Sequence, residues 1–178
     1  KGLMAKAGDK LVLPIDTMIT KKLDFDARTL DGLVAVDSKA IPADQEGVDI
    51  GPKSAQLYAD IVRGAKTVVW NGPMGVFEID ATAVGTYAVA NALVEATAKG
   101  AITVVGGGDS VAAVEKAGLE SKVSHVSTGG GASLEFLEGK ALPGVEVVTV
   151  LASPRQVAQD RARRGHGEGA RRRCGERR

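Results

Sequence analysis

The residues of this sequence best suited to chemistry lie in two glycine loops, Gly106-Gly107-Gly108-Asp109-Ser110 and Ser127-Thr128-Gly129-Gly130-Gly131. Each follows a short β-branched run and leads into a stretch of helical character, the place where open parallel sheets bind ligands. Glycines there let the main chain approach a ligand closely, and successive N–H groups at a helix start form an anion site. The plainer alternative is that they only close tight strand-to-helix turns. A third segment, Asn71 to Glu78, is placed in the same way. Asp109 has two readings: a helix N-cap that accepts a main-chain N–H, or a carboxylate beside phosphates that holds Mg²⁺. Residue type alone favours the cap. Glu78 is either a solvated loop carboxylate or one that accepts hydrogen bonds from a ribose.

Spacing removes several rival chemistries. The pattern G-x-x-x-x-G-K-[ST] is absent, and Gly106-Gly107-Gly108 lacks the third glycine of the dinucleotide fingerprint. There is no G-x-S-x-G nucleophile elbow. His125 and His166 are the only histidines. His125, in a predicted strand, is expected as a core or hydrogen-bonded residue and not as a base. No His/Cys cluster suggests zinc.

The elements that must position these loops alternate along the chain. Leu11-Val12-Leu13-Pro14 and Leu33-Val34-Ala35-Val36 are predicted strands, and a helix is predicted from Gly51-Pro52 to Gly64, with proline suited to its first turn. Strands follow at Thr67–Trp70, Ala101–Val105 and Ser124–Val126, with helices over about 82–98, 110–117 and 132–137. Trp70 is expected as a core anchor. Apolar strands separated by helices indicate a parallel α/β sheet covered on both faces. The opening residues read as the middle of a helix.

Composition sets the frame. Of 178 residues, 44% are hydrophobic and 25% charged, as in a globular domain with a real core. The net charge of +1 hides an asymmetry: from Ser153 onward nine arginines face only Asp160, Glu168 and Glu176, so the body is mildly acidic and gives no reason to expect nucleic-acid binding. The one cysteine, Cys174, cannot form an internal disulfide, which suits a reducing compartment. No signal peptide is recognisable, and 81–98 is too polar for a membrane span. Residues 149–178 are expected as a disordered, Arg-rich tail beyond a domain of residues 1–148.

Val68-Val69-Trp70-Asn71-Gly72-Pro73-Met74-Gly75-Val76-Phe77-Glu78, Gly106-Gly107-Gly108-Asp109-Ser110-Val111-Ala112-Ala113 and Ser124-His125-Val126-Ser127-Thr128-Gly129-Gly130-Gly131-Ala132-Ser133-Leu134-Glu135 resemble the signatures of phosphoglycerate kinases. Val48-Asp49-Ile50-Gly51-Pro52 and Leu142-Pro143-Gly144-Val145 fit the same family in the same order, and the resemblance covers about residues 1–147. It implies a doubly wound, Rossmann-like lobe and phosphoryl transfer between 1,3-bisphosphoglycerate and MgADP, giving 3-phosphoglycerate and MgATP in glycolysis. Gly47, Gly72 and Met74 would then line the adenine and ribose slot, with Phe77 nearby. Glu78 would take the ribose hydroxyls, and Asn71 would lie near the phosphate chain. Asp109 would hold the nucleotide-bound Mg²⁺, and Gly107, Gly108, Asp109 and Ser110 would cup the phosphates. Thr128, Gly129, Gly130 and Gly131 would stabilise the phosphoryl group in flight. The resemblance also implies a cytoplasmic, monomeric parent protein, a plastid location remaining open.

The departures from the family are as specific. Neither an acid-phosphate site nor a lysine-bearing glycine loop is found, and no arginine or lysine here would neutralise the transferring group. The expectation is a carboxyl-terminal part of such a kinase that does not turn over alone. The tail reads as a spurious terminal stretch. The alternative is a non-catalytic nucleotide-binding module with a basic tail.

Overall fold

In the computed structural model, residues 2–127 and 129–146 are described; Thr128 and the Arg-rich tail, with Cys174 and His166, lie outside them. The chain divides into a unit of residues 1–131 and a second beginning at Ala132. Within the first, helix α1 (Gly2–Ala7) is followed by strands β1 (Asp16–Thr20), β2 (Leu23–Asp24), β3 (Thr29–Leu30), β4 (Val34–Asp37) and β5 (Glu46–Ile50). Then come α2 (Pro52–Gly64), β6 (Thr67–Asn71), α3 (Val84–Ala98), β7 (Ile102–Gly106), α4 (Gly108–Lys116) and β8 (His125–Ser127), with α5 (Gly130–Leu137) running into the second unit.

The parallel α/β sheet expected from the sequence is present as β6-β7-β8. β7 is its centre, with Val105 fully buried and Thr103 closing against Thr97 of α3 at 2.6 Å. Trp70 of β6 is 5% exposed and packs with Val89, Leu93, Val105, Val111 and Val114, which bears out its role as a core anchor. A side chain such as Leu93, wholly buried, stabilises the fold by about 1.5–3 kcal/mol. Small residues on α3 (Gly85, Ala90, Ala92, Ala96) let it sit close to its neighbours.

α2 begins as predicted, with Pro52 at its first turn, and packs on α3. Arg63 near its end forks onto Glu95 at 2.7 and 3.2 Å and also reaches Asp60. These exposed pairs fix orientation more than they add stability.

Three expectations are corrected. Residues 11–14 form no strand: their main chain enters no ladder, and Val12 instead accepts a hydrogen bond from Tyr58 Oη at 3.2 Å. The strand predicted at Leu33–Val36 exists one residue on, as β4, but it belongs to a second, antiparallel sheet of order β4-β1-β5. His125 is exposed on β8, a three-residue strand that has only β7 beside it among the described residues. Strands β1 and β5 have no counterpart in the sequence reading. No helix among the described residues is long and apolar enough to cross a membrane.

Candidate functional site

Parallel pairing brings the carboxyl ends of the three strands level. Asn71 stands opposite Gly106, and Gly106 opposite Ser127. The chain turns out of β7 at Gly107, whose φ of +89° is one that glycine adopts without strain. A Cβ there would stand 2.7 Å from Asn71 Oδ1. Gly130, the first residue of α5, is closer still: a side chain on it would collide with the main chain of Gly107. Asn71 Nδ2 donates to the Gly130 carbonyl at 3.4 Å. The ends of all three loops thus meet at Asn71, Gly107 and Gly130.

α4 starts at this junction. Gly108 and Asp109 in its first turn are exposed, and no side chain among the described residues caps the helix. Its first-turn amides therefore offer an anion site with the positive end of the helix dipole behind it. Ser110 is different. Its hydroxyl is buried and accepts the Gly72 N–H at 2.6 Å, which ties the Asn71–Glu78 loop to α4.

That loop is held at every few residues. Thr86 Oγ1 of α3 accepts the amides of Met74 and Gly75 at 3.0 and 3.3 Å. Val76 N donates to Val48 O of β5 at 2.9 Å, which puts a loop contact on the residue next to Gly47. Lys116, in the last turn of α4, donates to the carbonyls of Phe77 (3.1 Å) and Glu78 (3.4 Å) and to Asp80 Oδ1 (2.9 Å). Phe77 is buried against Ala83 and Ala113, whereas the Glu78 side chain is exposed.

Two buried carboxylates support this frame. Asp49 of β5 accepts the Gly85 N–H of α3 at 2.7 Å and the Ile50 N–H at 2.8 Å. Burial pushes its carboxyl up to about 6, against the pull of those two amides. Asp16 of β1 accepts Lys53 N (3.0 Å), Ser54 N (2.7 Å) and Ser54 Oγ (2.6 Å) at the start of α2. Burial would raise its carboxyl too, but the Ser54 hydroxyl and the two amides outweigh it and hold the group below its ordinary value.

With that geometry in place, its relatives are specific. The family model described as phosphoglycerate kinase matches residues 1–140. The chain belongs to the phosphoglycerate kinase family. Phosphoglycerate kinases of Staphylococcus aureus strains JH9 and Newman are each 54% identical over 148 residues, which is 83% of this chain and 36% of theirs. The solved phosphoglycerate kinase of Coxiella burnetii superposes with a TM-score of 0.74 at 39% identity, covering 85% of this chain and 38% of that one. That of Pyrococcus horikoshii OT3 gives 0.68 at 31% identity, covering 84% and 35%. The chain thus spans little more than a third of the relatives it matches.

The residues expected to serve a nucleotide divide into those that converge and those that do not. Asn71, Gly107, Gly108, Asp109 and Gly130 share one edge, and Gly72 and Ser110 join them through their hydrogen bond. Phe77 and Glu78 lie at the other end of the loop, beneath Lys116. Met74 packs into the apolar core and lines a cavity of about 360 Å³ with Tyr58, Val62, Val68 and Trp70. Gly47 sits in β5 opposite Ile19. Gly129 and Gly131 flank Gly130, whereas Thr128 is outside the described residues. Thr86 and Lys116 carry no signal in the sequence, and Asp49 figures there only within the Val48–Pro52 segment with no role of its own, although an aspartate between Val48 and Ile50 is itself a signal of a buried, partnered carboxylate.

Magnesium fits the donor set only with help. Among the described residues no three His, Cys, Asp or Glu cluster tightly enough to hold a metal. One exposed carboxylate, beside helix amides that no described side chain accepts from, suits a cation that brings phosphate oxygens and water as its other ligands.

Proposed function

We propose that the edge formed by Asn71, Gly107–Ser110 and Gly129–Gly131 binds the phosphates of ADP or ATP, as one wall of a phosphoglycerate kinase active site. The observation that carries this reading is the exposed first turn of α4, which no described side chain caps, set against Asn71 and Gly130 with no room for side chains between them. Asp109 would hold Mg²⁺ bound to the nucleotide, and magnesium would supply charge neutralisation along the phosphate chain. The main-chain amides of α4 and of the start of α5 would face the terminal and transferring phosphoryl groups. Glu78 would accept from the ribose hydroxyls, with Phe77, Met74 and Gly47 toward the base. The reaction, transfer between 1,3-bisphosphoglycerate and ADP in the glycolytic cytoplasm, asks for positioning and electrostatic stabilisation, which rigid main-chain donors provide.

This chain would bind and not turn over. Among the described residues no lysine or arginine hydrogen-bonds to Asn71, Gly107 or Gly130, and the relatives extend well beyond the matched part. Calorimetric titration should show the chain binding ADP more tightly with magnesium than without. Asp109→Ala should remove that magnesium dependence, by about tenfold or more in affinity, with little change in thermal stability. Addition of 1,3-bisphosphoglycerate should yield no ATP. Magnesium dependence that survives in Asp109→Ala would refute the metal assignment, and robust turnover would refute the single-wall reading.

A further inference from the structure

α4 touches the Asn71–Asp80 loop at both of its ends. At the start, Ser110 accepts the Gly72 amide; at the finish, Lys116 donates to the Phe77 and Glu78 carbonyls. An ammonium has three protons, and here they meet two carbonyl oxygens and the Asp80 carboxylate. The ion pair explains little of this by itself, because Asp80 is 89% exposed and such pairs contribute little. The carbonyl contacts are more informative. Carbonyls accept from a cation without forming an ion pair, so a lysine committed to two successive carbonyls fixes the path of the main chain.

α4 is nine residues long, and at 1.5 Å per residue the helix spans about 13 Å. It is a rigid spacer: its first turn carries the open amides and Asp109, and its last turn grips the main chain from which Glu78 projects.

We infer that Lys116 is a positioning residue of the nucleotide site, which through α4 holds the Glu78 end of the loop at a fixed distance from the phosphate-facing amides. This rests on the nucleotide reading above and extends it to a residue that touches no ligand. Its consequence is selective: without Lys116 the sugar end should lose its registration, while the phosphate end, formed by α4's opposite terminus, should keep its own.

The test is a comparison of probes on the whole chain. MgADP, Mg-2′,3′-dideoxy-ADP and magnesium pyrophosphate are titrated into the unmodified chain, Lys116→Met and Lys116→Arg. The unmodified chain should prefer ADP to the dideoxy analogue. Lys116→Met should weaken ADP by about tenfold, abolish that preference and leave pyrophosphate within about twofold. Lys116→Arg should restore part of the preference, since its guanidinium still donates to carbonyls. Asp80→Asn, which removes only the ion pair, should change ADP affinity by about twofold or less. Equal losses for ADP and pyrophosphate in Lys116→Met would reduce Lys116 to a general structural role and overturn the inference. So would an unchanged preference for the ribose hydroxyls. A chain that binds neither ADP nor pyrophosphate would refute the nucleotide reading itself, a result distinct from both.

Discussion

Three helices of this chain start at the end of a strand or loop with the same free amides and the same dipole, yet they use them differently. At α2 the amides of Lys53 and Ser54 are taken by Asp16 of β1, and at α3 the amide of Gly85 is taken by Asp49 of β5. The start of α4 has no such partner among the described residues and faces outward through Gly108 and Asp109. In the first two cases the protein supplies its own anion, and the helix start becomes a joint between the antiparallel strands and the helical layer. In the third the anion must come from elsewhere. A glycine-preceded helix is therefore no sufficient sign of a phosphate site: Gly51-Pro52 opens a helix too, but its amides are already spent.

The sharpest way to break this contrast is to remove a plug. Asp16→Ala would strip an acceptor from two amides and a buried hydroxyl at once. The Ser54 hydroxyl can still donate to the Asp16 carbonyl at 2.9 Å and Lys53 is exposed, so a loss of about 2–3 kcal/mol in unfolding free energy is expected, read by urea denaturation. A change below about 1 kcal/mol would mean that the carboxylate does not serve as the cap.

A pH-dependent effect separates the two plugs from each other. Asp49 binds its proton more tightly in the folded chain, at about 6 against an ordinary 3.8. Between those values the folded state holds the extra proton, so this group's contribution to stability is full below the lower value and falls as pH rises through the window. The linkage is worth up to about 3 kcal/mol. Asp16 has the opposite sign: its stabilisation is present above 3.8 and is lost as pH falls through its depressed folded value. Urea midpoints from about pH 7 to about pH 4 should therefore show an Asp49 component that rises on acidification and is missing in Asp49→Ala. Parallel pH profiles for the two chains would contradict the assignment. The difference comes from hydrogen bonds. Asp16 is met by two amides and a hydroxyl, whereas one of the two donors to Asp49 is merely its neighbour, Ile50.

Much of the positioning frame was legible in the sequence. Local signals suffice for α2, where Pro52 starts and Gly64 ends an apolar stripe, and for β7, where five residues run straight into the glycine turn. The candidate edge was legible for the same reason, since loops after parallel strands land on one side. The antiparallel sheet was not. β1 and β5 are short, carry polar residues such as Asp16, Thr17, Glu46 and Asp49, and owe their existence to pairing across roughly thirty residues of chain. The run at 11–14 misled for the converse reason, being apolar enough for a strand with no described strand beside it. Lys116 was invisible because nothing in the local sequence marks a lysine whose partners lie 36 to 39 residues earlier.

The most direct test of the open helix start against the plugged ones is a residue-by-residue amide NMR titration with MgADP. The amides of Gly107 to Ser110, with Gly72 and Gly129 to Gly131, should shift on binding, while Lys53, Ser54 and Gly85 stay in place. Shifts at Lys53 and Ser54 as large as those at Gly108 and Asp109, or saturable binding that leaves α4's first turn unmoved, would contradict the account.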